Sequence, residues 1–393
     1  MTEDHSPALT RTPLTYGMVG GGPGGFIGQV HRQALAMDGL AQLTAGFFAR
    51  DETRCRETAL DLRVPQDRIY SSAQEMADKE AEREDRIDFV AVVTPNHVHY
   101  PICKAFLQRG FHVVCDKPLT LEIHEAEDLA ELAEKHGLMF GVTHAYNGYP
   151  MVKQARAMVA AGELGELRYI NGEYAQDWLW QRLELTEHKQ AGWRLDPKRT
   201  GRASTLGDIG THLDNLATYI TGLTPTRLLA RVEALVPGRV LDDTATVMLE
   251  YEGGVSGLFW LSQAAVGHDN GLKLRVMGEK ASLEWSQEAP DTLIIKEPGG
   301  PSRTVSRARG PMYPEATVYS RFPSGHPEGY LECFANTYKA FCSTLIKRKA
   351  GLEPNAADLD FPGVEAGIKG VRFIHRCVDS SERGAAWVDF AGD

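Results

Sequence analysis

The most constraining feature of this chain is the run Gly20-Gly21-Gly22-Pro23-Gly24-Gly25, which follows an apolar stretch at 14–19 and precedes a helical pattern. Gly20, Gly22 and Gly25 satisfy G-x-G-x-x-G. Glycines at this spacing permit a tight turn, let the backbone approach a pyrophosphate, and let a helix pack close to a strand. The helix then offers unpaired amide donors and the positive end of its dipole. A strand–loop–helix unit that binds a nicotinamide dinucleotide is the expectation, with Phe26 and Ile27 beside the cofactor at the helix start.

The apolar texture that follows supports the same unit. Runs at 43–48, 89–94, 111–115 and 138–142 alternate with amphipathic stretches. Ile27, Val30 and Ala34 keep helical spacing, as do Leu129, Leu132 and Ala133 ahead of a His136-Gly137 stop. Ser72 and Glu75 form a capping-box signature. Continuous apolar strands separated by helices predict a parallel sheet buried on both faces, hence an α/β Rossmann, doubly wound domain over residues 1–147. After Pro150 the pattern changes. A helix is expected at 151–160, a strand near 167–174 and a helix at 205–220. Strand-like runs broken by turns then fill 228–295, which predicts an open, largely antiparallel sheet in a second α/β domain, residues 148–393. The stretch 297–327 reads as a long loop, and helices at 329–349 and 364–380 close the chain.

Length agrees with this division, because 393 residues exceed one ordinary core. Basic residues number 42 against 53 acidic ones, and a net charge of -11 repels phosphate backbones, so no nucleic-acid partner is expected. The six cysteines are scattered without a C-x-x-C pair, the pattern of reduced structural thiols. The opening MTEDHSPALTRTPL is polar and acid-containing, unlike a secretory signal, and no apolar run is long enough to cross a bilayer. A cytoplasmic protein without a membrane partner is the expectation. His97 and His99 have no neighbouring acids or cysteines of ligand spacing, so no metal site is expected.

Cofactor choice stays open at the end of the second strand, Phe47-Phe48-Ala49-Arg50-Asp51. An acid there normally binds the ribose hydroxyls of NAD. With Ala49 in that place, Arg50 could face the 2′-phosphate of NADP; with a later strand end, Asp51 could serve the ribose.

Three more segments appear in order: Thr94-Pro95-Asn96-His97, Cys115-Asp116-Lys117-Pro118-Leu119 and Gly207-Asp208-Ile209-Gly210-Thr211-His212. Behind an N-terminal glycine loop, this set resembles the Gfo/Idh/MocA oxidoreductase family over nearly the whole chain. The resemblance implies NAD(P)-dependent chemistry in a site between the two domains. It also implies a homo-oligomer, dimer or tetramer, formed through the open sheet. Lys117 looks like the lysine of the family's E-K-P motif, and Asp208 and His212 like its aspartate–histidine pair. Thr94, Pro95 and Asn96 match a loop along the cofactor, and His99 either caps the following helix or lines the cofactor. Asp116 stands where the family usually has Glu, and its shorter side chain puts direct contact with the nicotinamide ribose in doubt.

Chemistry asks for these residue types independently. Hydride transfer from a secondary alcohol requires loss of the hydroxyl proton, and histidine is the natural base near neutral pH. Asp208 and His212, four apart on a helix, are expected to share a face, so that the carboxylate orients the ring. An ammonium at Lys117 can stabilise developing alkoxide character. Tyr174, Trp178, Trp180 and Trp193 suit sugar faces or a core equally. Tyr146, Gln176, Asp177, Trp178, Arg194 and His326 are candidate substrate contacts beside Lys117, Asp208 and His212. The expected activity is a dehydrogenase of a sugar or cyclic, inositol-like polyol. The alternative is redox-neutral glycoside cleavage by transient oxidation with a tightly held cofactor. A non-catalytic sensor has no need of the Lys117/Asp208/His212 set.

Overall fold

The computed structural model describes residues 12–392, and the polar opening segment through Arg11 lies outside them. The N-terminal apolar runs form β1 (Leu14–Gly20), β2 (Ala41–Phe47), β3 (Phe89–Val93), β4 (His112–Cys115) and β5 (Phe140–Val142). Between them lie α1 (Phe26–Met37), α2 (Glu52–Asp61), α3 (Ala73–Ala81), α4 (His99–Gln108) and α5 (Ile123–Lys135). All five strands run parallel in the order β2-β1-β3-β4-β5. β3 is buried at every residue, as a strand covered on both faces must be. The order reverses between β1 and β3, and the loops leaving those two strands open the crevice where doubly wound sheets take ligands.

Beyond a 3-10 turn at Ala145–Gly148, the chain forms α6 (Pro150–Ala160), β6 (Leu167–Ala175) and two short helices, α7 (Lys189–Arg194) and α8 (Pro197–Thr200). A π-helical turn, Leu206–Gly210, runs straight into α9 (Thr211–Thr221). Strands β7 (Pro225–Glu233), β8 (Thr244–Tyr251), β9 (Ser256–Ser262), β10 (Gly271–Gly278), β11 (Ser282–Ser286), β12 (Thr292–Lys296) and β13 (Arg303–Ser306) follow. The end comprises α10 (Pro314–Thr317), α11 (Tyr330–Lys349), α12 (Val364–Glu382) and β14 (Val388–Asp389). The second sheet has nine strands in the order β13-β12-β11-β10-β6-β9-β8-β7-β14. Among the described residues, only the β6–β9 pair of this second sheet is parallel.

The segment 297–327 is not one long loop. It contributes β13 at the sheet edge and the helical turn α10. Arg307, buried, ion-pairs with Asp291 at 2.7 Å and with buried Glu328 at 2.7 Å. Paired buried charges order a stretch that has few apolar residues to bury.

The last helices return to the first sheet. α11 packs along α1, and Phe341 meets Phe89 of β3 edge-on at 5.3 Å. α12 packs on α5, and an antiparallel bridge joins Gly363 to Gly141 of β5. All six cysteines are buried and free. Among the described residues no helix is long and apolar enough to cross a membrane.

Candidate active site

Between the carboxyl ends of the first sheet and one face of the second lies a cavity of about 1040 Å³. A drug-sized ligand fills roughly 300–1,000 Å³, so there is room for a dinucleotide and a small second ligand. The glycine loop, Ala49, Arg50, Thr94–Asn96 and Asp116–Pro118 line one side. Tyr146, Tyr174, Gln176, Trp178, Arg194, Asp208 and His212 line the other.

The loop fits a dinucleotide. A side-chain carbon at Gly20, whose φ is +91°, would meet the Val93 carbonyl at 2.5 Å; one at Gly22 would meet the Phe48 carbonyl at 2.5 Å. Both positions therefore keep the backbone bare against β2 and β3. The amides at the start of α1 receive no side-chain cap and remain open to an anion. Close helix–strand packing falls on a glycine the motif did not single out. A side-chain carbon at Gly28 would lie 2.3 Å from the Cα of Gly21, whereas one at Gly25 would meet only the Gly22 carbonyl, at 3.2 Å.

Lys117 leaves the end of β4 and reaches across to the π-helical turn. Its ammonium donates to the Asp208 carbonyl and, at 3.1 Å, to Asp208 Oδ1. Arg194 ion-pairs with the same oxygen at 3.3 Å, and Gln263 Nε2 donates to Oδ2 at 2.8 Å. Burial alone would raise the Asp208 pKa, but the Arg194 and Lys117 charges and the Gln263 hydrogen bond hold it well below the usual carboxylate range. This corrects the expectation that Asp208 orients His212. Two fixed cations outcompete a neutral imidazole for the carboxylate, and His212 Nδ1 is buried without a hydrogen-bond partner. His212 instead packs against Tyr146, ring centroids 4.7 Å apart, and edge-on to His144 at 5.7 Å. Burial, then the Lys117 and His144 charges, push its pKa well below 6.5 against the pull of Asp208. The ring is neutral at physiological pH, the state a proton acceptor requires.

This cavity sits on a chain with clear relatives. A model of the oxidoreductase family with an NAD-binding Rossmann fold matches residues 14–144, and one of the GFO/IDH/MocA C-terminal domain matches residues 152–284. The chain belongs to the Gfo/Idh/MocA oxidoreductase family. NAD is its cofactor. It is 35% identical over 381 residues to the uncharacterized oxidoreductase YfiI of Bacillus subtilis, covering 96% of this chain and 97% of that one. The structure of an inositol dehydrogenase homolog with NAD+ from Azotobacter vinelandii superposes with a TM-score of 0.93 at 38% identity, covering 98% and 99% of the two chains. A second structure of such a homolog from that organism, with NADH and myo-inositol, has a TM-score of 0.90, 38% identity and coverage of 96% and 98%. The levoglucosan dehydrogenase of Pseudarthrobacter phenanthrenivorans is 25% identical over 309 residues, 72% of this chain and 76% of that one.

Within this Gfo/Idh/MocA chain, the remaining expected residues divide clearly. Phe26, Ile27, Ala49, Arg50, Thr94, Pro95 and Asn96 line the cavity. His99 does not: it is buried behind the wall, its ring nitrogens 3.0 Å from the Pro118 carbonyl and 2.7 Å from that of Thr94, and so ties two cavity loops together. Asp116 turns to the adjoining ends of β4 and β5, where Oδ1 accepts from the Thr143 hydroxyl at 2.6 Å and from the Lys117 amide at 3.0 Å. Asp51 spends one carboxylate oxygen capping α2, accepting the Arg54 amide at 2.8 Å. Asp177 points away and accepts the Gly267 amide at 3.1 Å. His326 is exposed and outside the cavity, because Arg307 pins its backbone carbonyl in the outer segment. Sequence reasoning missed Asn270, Gln287 and Gln263. Asn270 lies in what reads as a simple turn, and Gln263 was visible only as a polar residue ending the apolar strand β9. No group of His, Cys, Asp or Glu suited to a metal occurs among the described residues.

Two outcomes follow from this geometry. Gly28→Ala forces α1 away from the glycine loop at Gly21, so it should lose about 2 kcal/mol of stability and weaken NADH binding roughly tenfold, while Gly25→Ala changes both far less. Thermal melts and NADH fluorescence titration check this; a Gly28→Ala protein indistinguishable from the parent overturns the packing assignment. The second outcome concerns pH. The base must be unprotonated and its pKa is lowered, so the acid limb of kcat/KM for alcohol oxidation should fall below pH 6.5. An acid limb above that value removes His212 as the titrating base.

Proposed function

We propose that this protein is an NAD(P)-dependent dehydrogenase that oxidises a secondary hydroxyl of a sugar or inositol-like cyclic polyol. The observation that carries the reading is the convergence of Lys117, Asp208 and neutral, half-buried His212 in the cavity that the glycine loop opens. The myo-inositol bound to a 38%-identical homolog of similar fold supports the substrate class. Two relatives with assigned activities, a levoglucosan dehydrogenase and a D-xylose 1-dehydrogenase, are dehydrogenases, which weighs against redox-neutral glycoside cleavage. Self-association through the open sheet belongs to the same reading, supported by exposed Met248 and Trp260 on adjacent strands.

Bound NAD+ supplies the two-electron acceptor for hydride. The chain supplies the rest. His212 takes the hydroxyl proton, and the Lys117 ammonium hydrogen-bonds the oxygen as negative charge develops on it. Asp208 fixes that ammonium in place from two of its own oxygens, the backbone carbonyl and Oδ1. Lys117 and His144 both oppose a lasting positive charge on His212. The ring is therefore a weakened base that does not retain the proton it takes, which favours passing it on.

At the adenosine end, Arg50 and Arg54 line the cavity and no acid occupies position 49. Guanidinium suits phosphate, so NADP(H) should bind appreciably. Arg50→Ala should weaken NADPH binding about tenfold more than NADH binding; an unchanged affinity ratio makes Arg50 a bystander.

The activity is tested by following NADH absorbance over a panel of inositols, aldoses and glycosides. Stoichiometric NADH with at least one polyol is the expected result, and His212→Ala and Lys117→Ala should each cut turnover roughly a hundredfold or more. Cofactor affinity should hardly move in either. Glycoside cleavage without net NADH overturns the dehydrogenase reading, and full turnover in His212→Ala overturns the mechanism.

A further inference from the structure

The wall of the cavity opposite the cofactor loop carries a continuous chain of hydrogen bonds whose direction is fixed at one end. Asp208 lies between two cations, so its carboxylate is ionised and can only accept. The group 2.8 Å from Oδ2 is therefore the amide nitrogen of Gln263, and the reverse placement would set oxygen against carboxylate. Gln263 Oε1 correspondingly accepts from the Thr205 hydroxyl at 3.0 Å. The second hydrogen of Gln263 Nε2 goes to Gln176 Oε1 at 3.1 Å, which fixes the Gln176 amide. Gln176 Nε2 then donates to Asn270 Oδ1 at 2.7 Å, which fixes Asn270. Asn270 Oδ1 takes its second hydrogen bond from the Tyr174 hydroxyl at 2.8 Å. The Tyr174 proton is thereby used, and the 2.6 Å contact between the two tyrosine oxygens has one polarity left: Tyr146 donates and Tyr174 accepts.

Tyr146, Tyr174, Gln176 and Asn270 all line the cavity, so this polarity faces the ligand. We infer that Tyr146 is held as a hydrogen-bond acceptor towards the substrate, so that the site selects a polyol with a free, donating hydroxyl close to the one that is oxidised. The inference rests on the polyol reading and deepens it. Proximity comes from the Tyr146 and His212 rings, whose centroids are 4.7 Å apart. A tyrosine ordinarily donates or accepts as the ligand demands; here its only proton is committed inside the wall. An ether, a ketone or a fluorine at that ring position would set lone pair against lone pair. Tyr146 is a specificity-determining residue by this argument, and Tyr174 and Gln263 are positioning residues that act through it.

The test compares kcat/KM for myo-inositol with its single-position deoxy and deoxyfluoro derivatives, since fluorine accepts weakly and cannot donate. In the parent enzyme, one ring position other than the oxidised one should lose about tenfold or more with both replacements. In Tyr174→Phe the Tyr146 proton is released to the cavity, so the fluoro derivative should recover about fivefold while the deoxy derivative does not. A merely structural role for Tyr174 would lower all three substrates together. Fluoro derivatives that match myo-inositol at every position other than the oxidised one in the parent overturn the inference. A neutron structure of the NADH-bound protein decides the polarity without turnover. A deuterium on Tyr146 Oη directed at Tyr174 is expected, and one directed into the cavity refutes the inference. A panel in which no polyol reduces NAD+ defeats the proposed function instead, and the neutron result still stands on its own.

Discussion

The site depends on one carboxylate kept ionised while almost surrounded by protein. Asp208 would rise in pKa if burial acted alone, and it is Lys117 and Arg194, reaching it from separate parts of the chain, that prevent this. Removing either cation would weaken the charge balance; removing the carboxylate would leave two positive groups facing each other in a poorly solvated space. That balance orients the ammonium proposed to act on substrate oxygen, and it adds to burial, the main cause, in keeping His212 uncharged, because the imidazole feels Lys117 more strongly than Asp208. The carboxylate lies in a π-helical turn, a form that is rare and recurs at functional positions.

How far the sequence speaks depends on whether a feature is local. The strands of the first sheet were legible because continuous burial leaves an apolar run, as at Phe89–Val93. The order of Lys117, Asp208 and His212 along the chain was legible too, and the fold brings all three into one cavity. Their partnerships were not. Helical spacing of four suggested an Asp208–His212 pair, yet the nearest competing charges come from Lys117, distant by ninety-one positions, and from Arg194. Spacing reports which residues can meet and says nothing about stronger partners arriving from elsewhere. Gln263 and Asn270 failed to stand out for the same reason, since a neutral amide acquires meaning only from what it touches. His326 looked suitable by residue type alone, and Asp177 by its place beside Gln176.

The segment 297–327 shows a second limit. Rich in glycine, proline and arginine, it lacked the periodicity that marks a strand or helix, but β13 and α10 form there on a few scattered apolar contacts, Val305 and Ala316 among them, beside the buried Arg307 ion pairs. Hydrophobic pattern is blind to order of that kind. Gly28 illustrates a third, because the loop is longer than the simplest motif and the glycine that admits the helix lies three residues beyond the expected one.

The return of α11 and α12 to the first sheet bears on how such a chain can be taken apart. Along the sequence the two halves read as separable modules, and a cut near residue 147 would look like a clean excision of the dinucleotide unit. In space, Phe341 covers Phe89, Tyr338 donates or accepts at His31 Nδ1 of α1 at 2.6 Å, and Gly363 bridges to β5. An excised N-terminal piece would carry its cofactor loop on a helix stripped of one flank, with apolar surface opened to water at about 25 cal/mol for every Å² exposed. Swapping catalytic halves between relatives thus means transplanting a discontinuous body, the first segment together with the last, and leaving the β-rich middle as the exchangeable part.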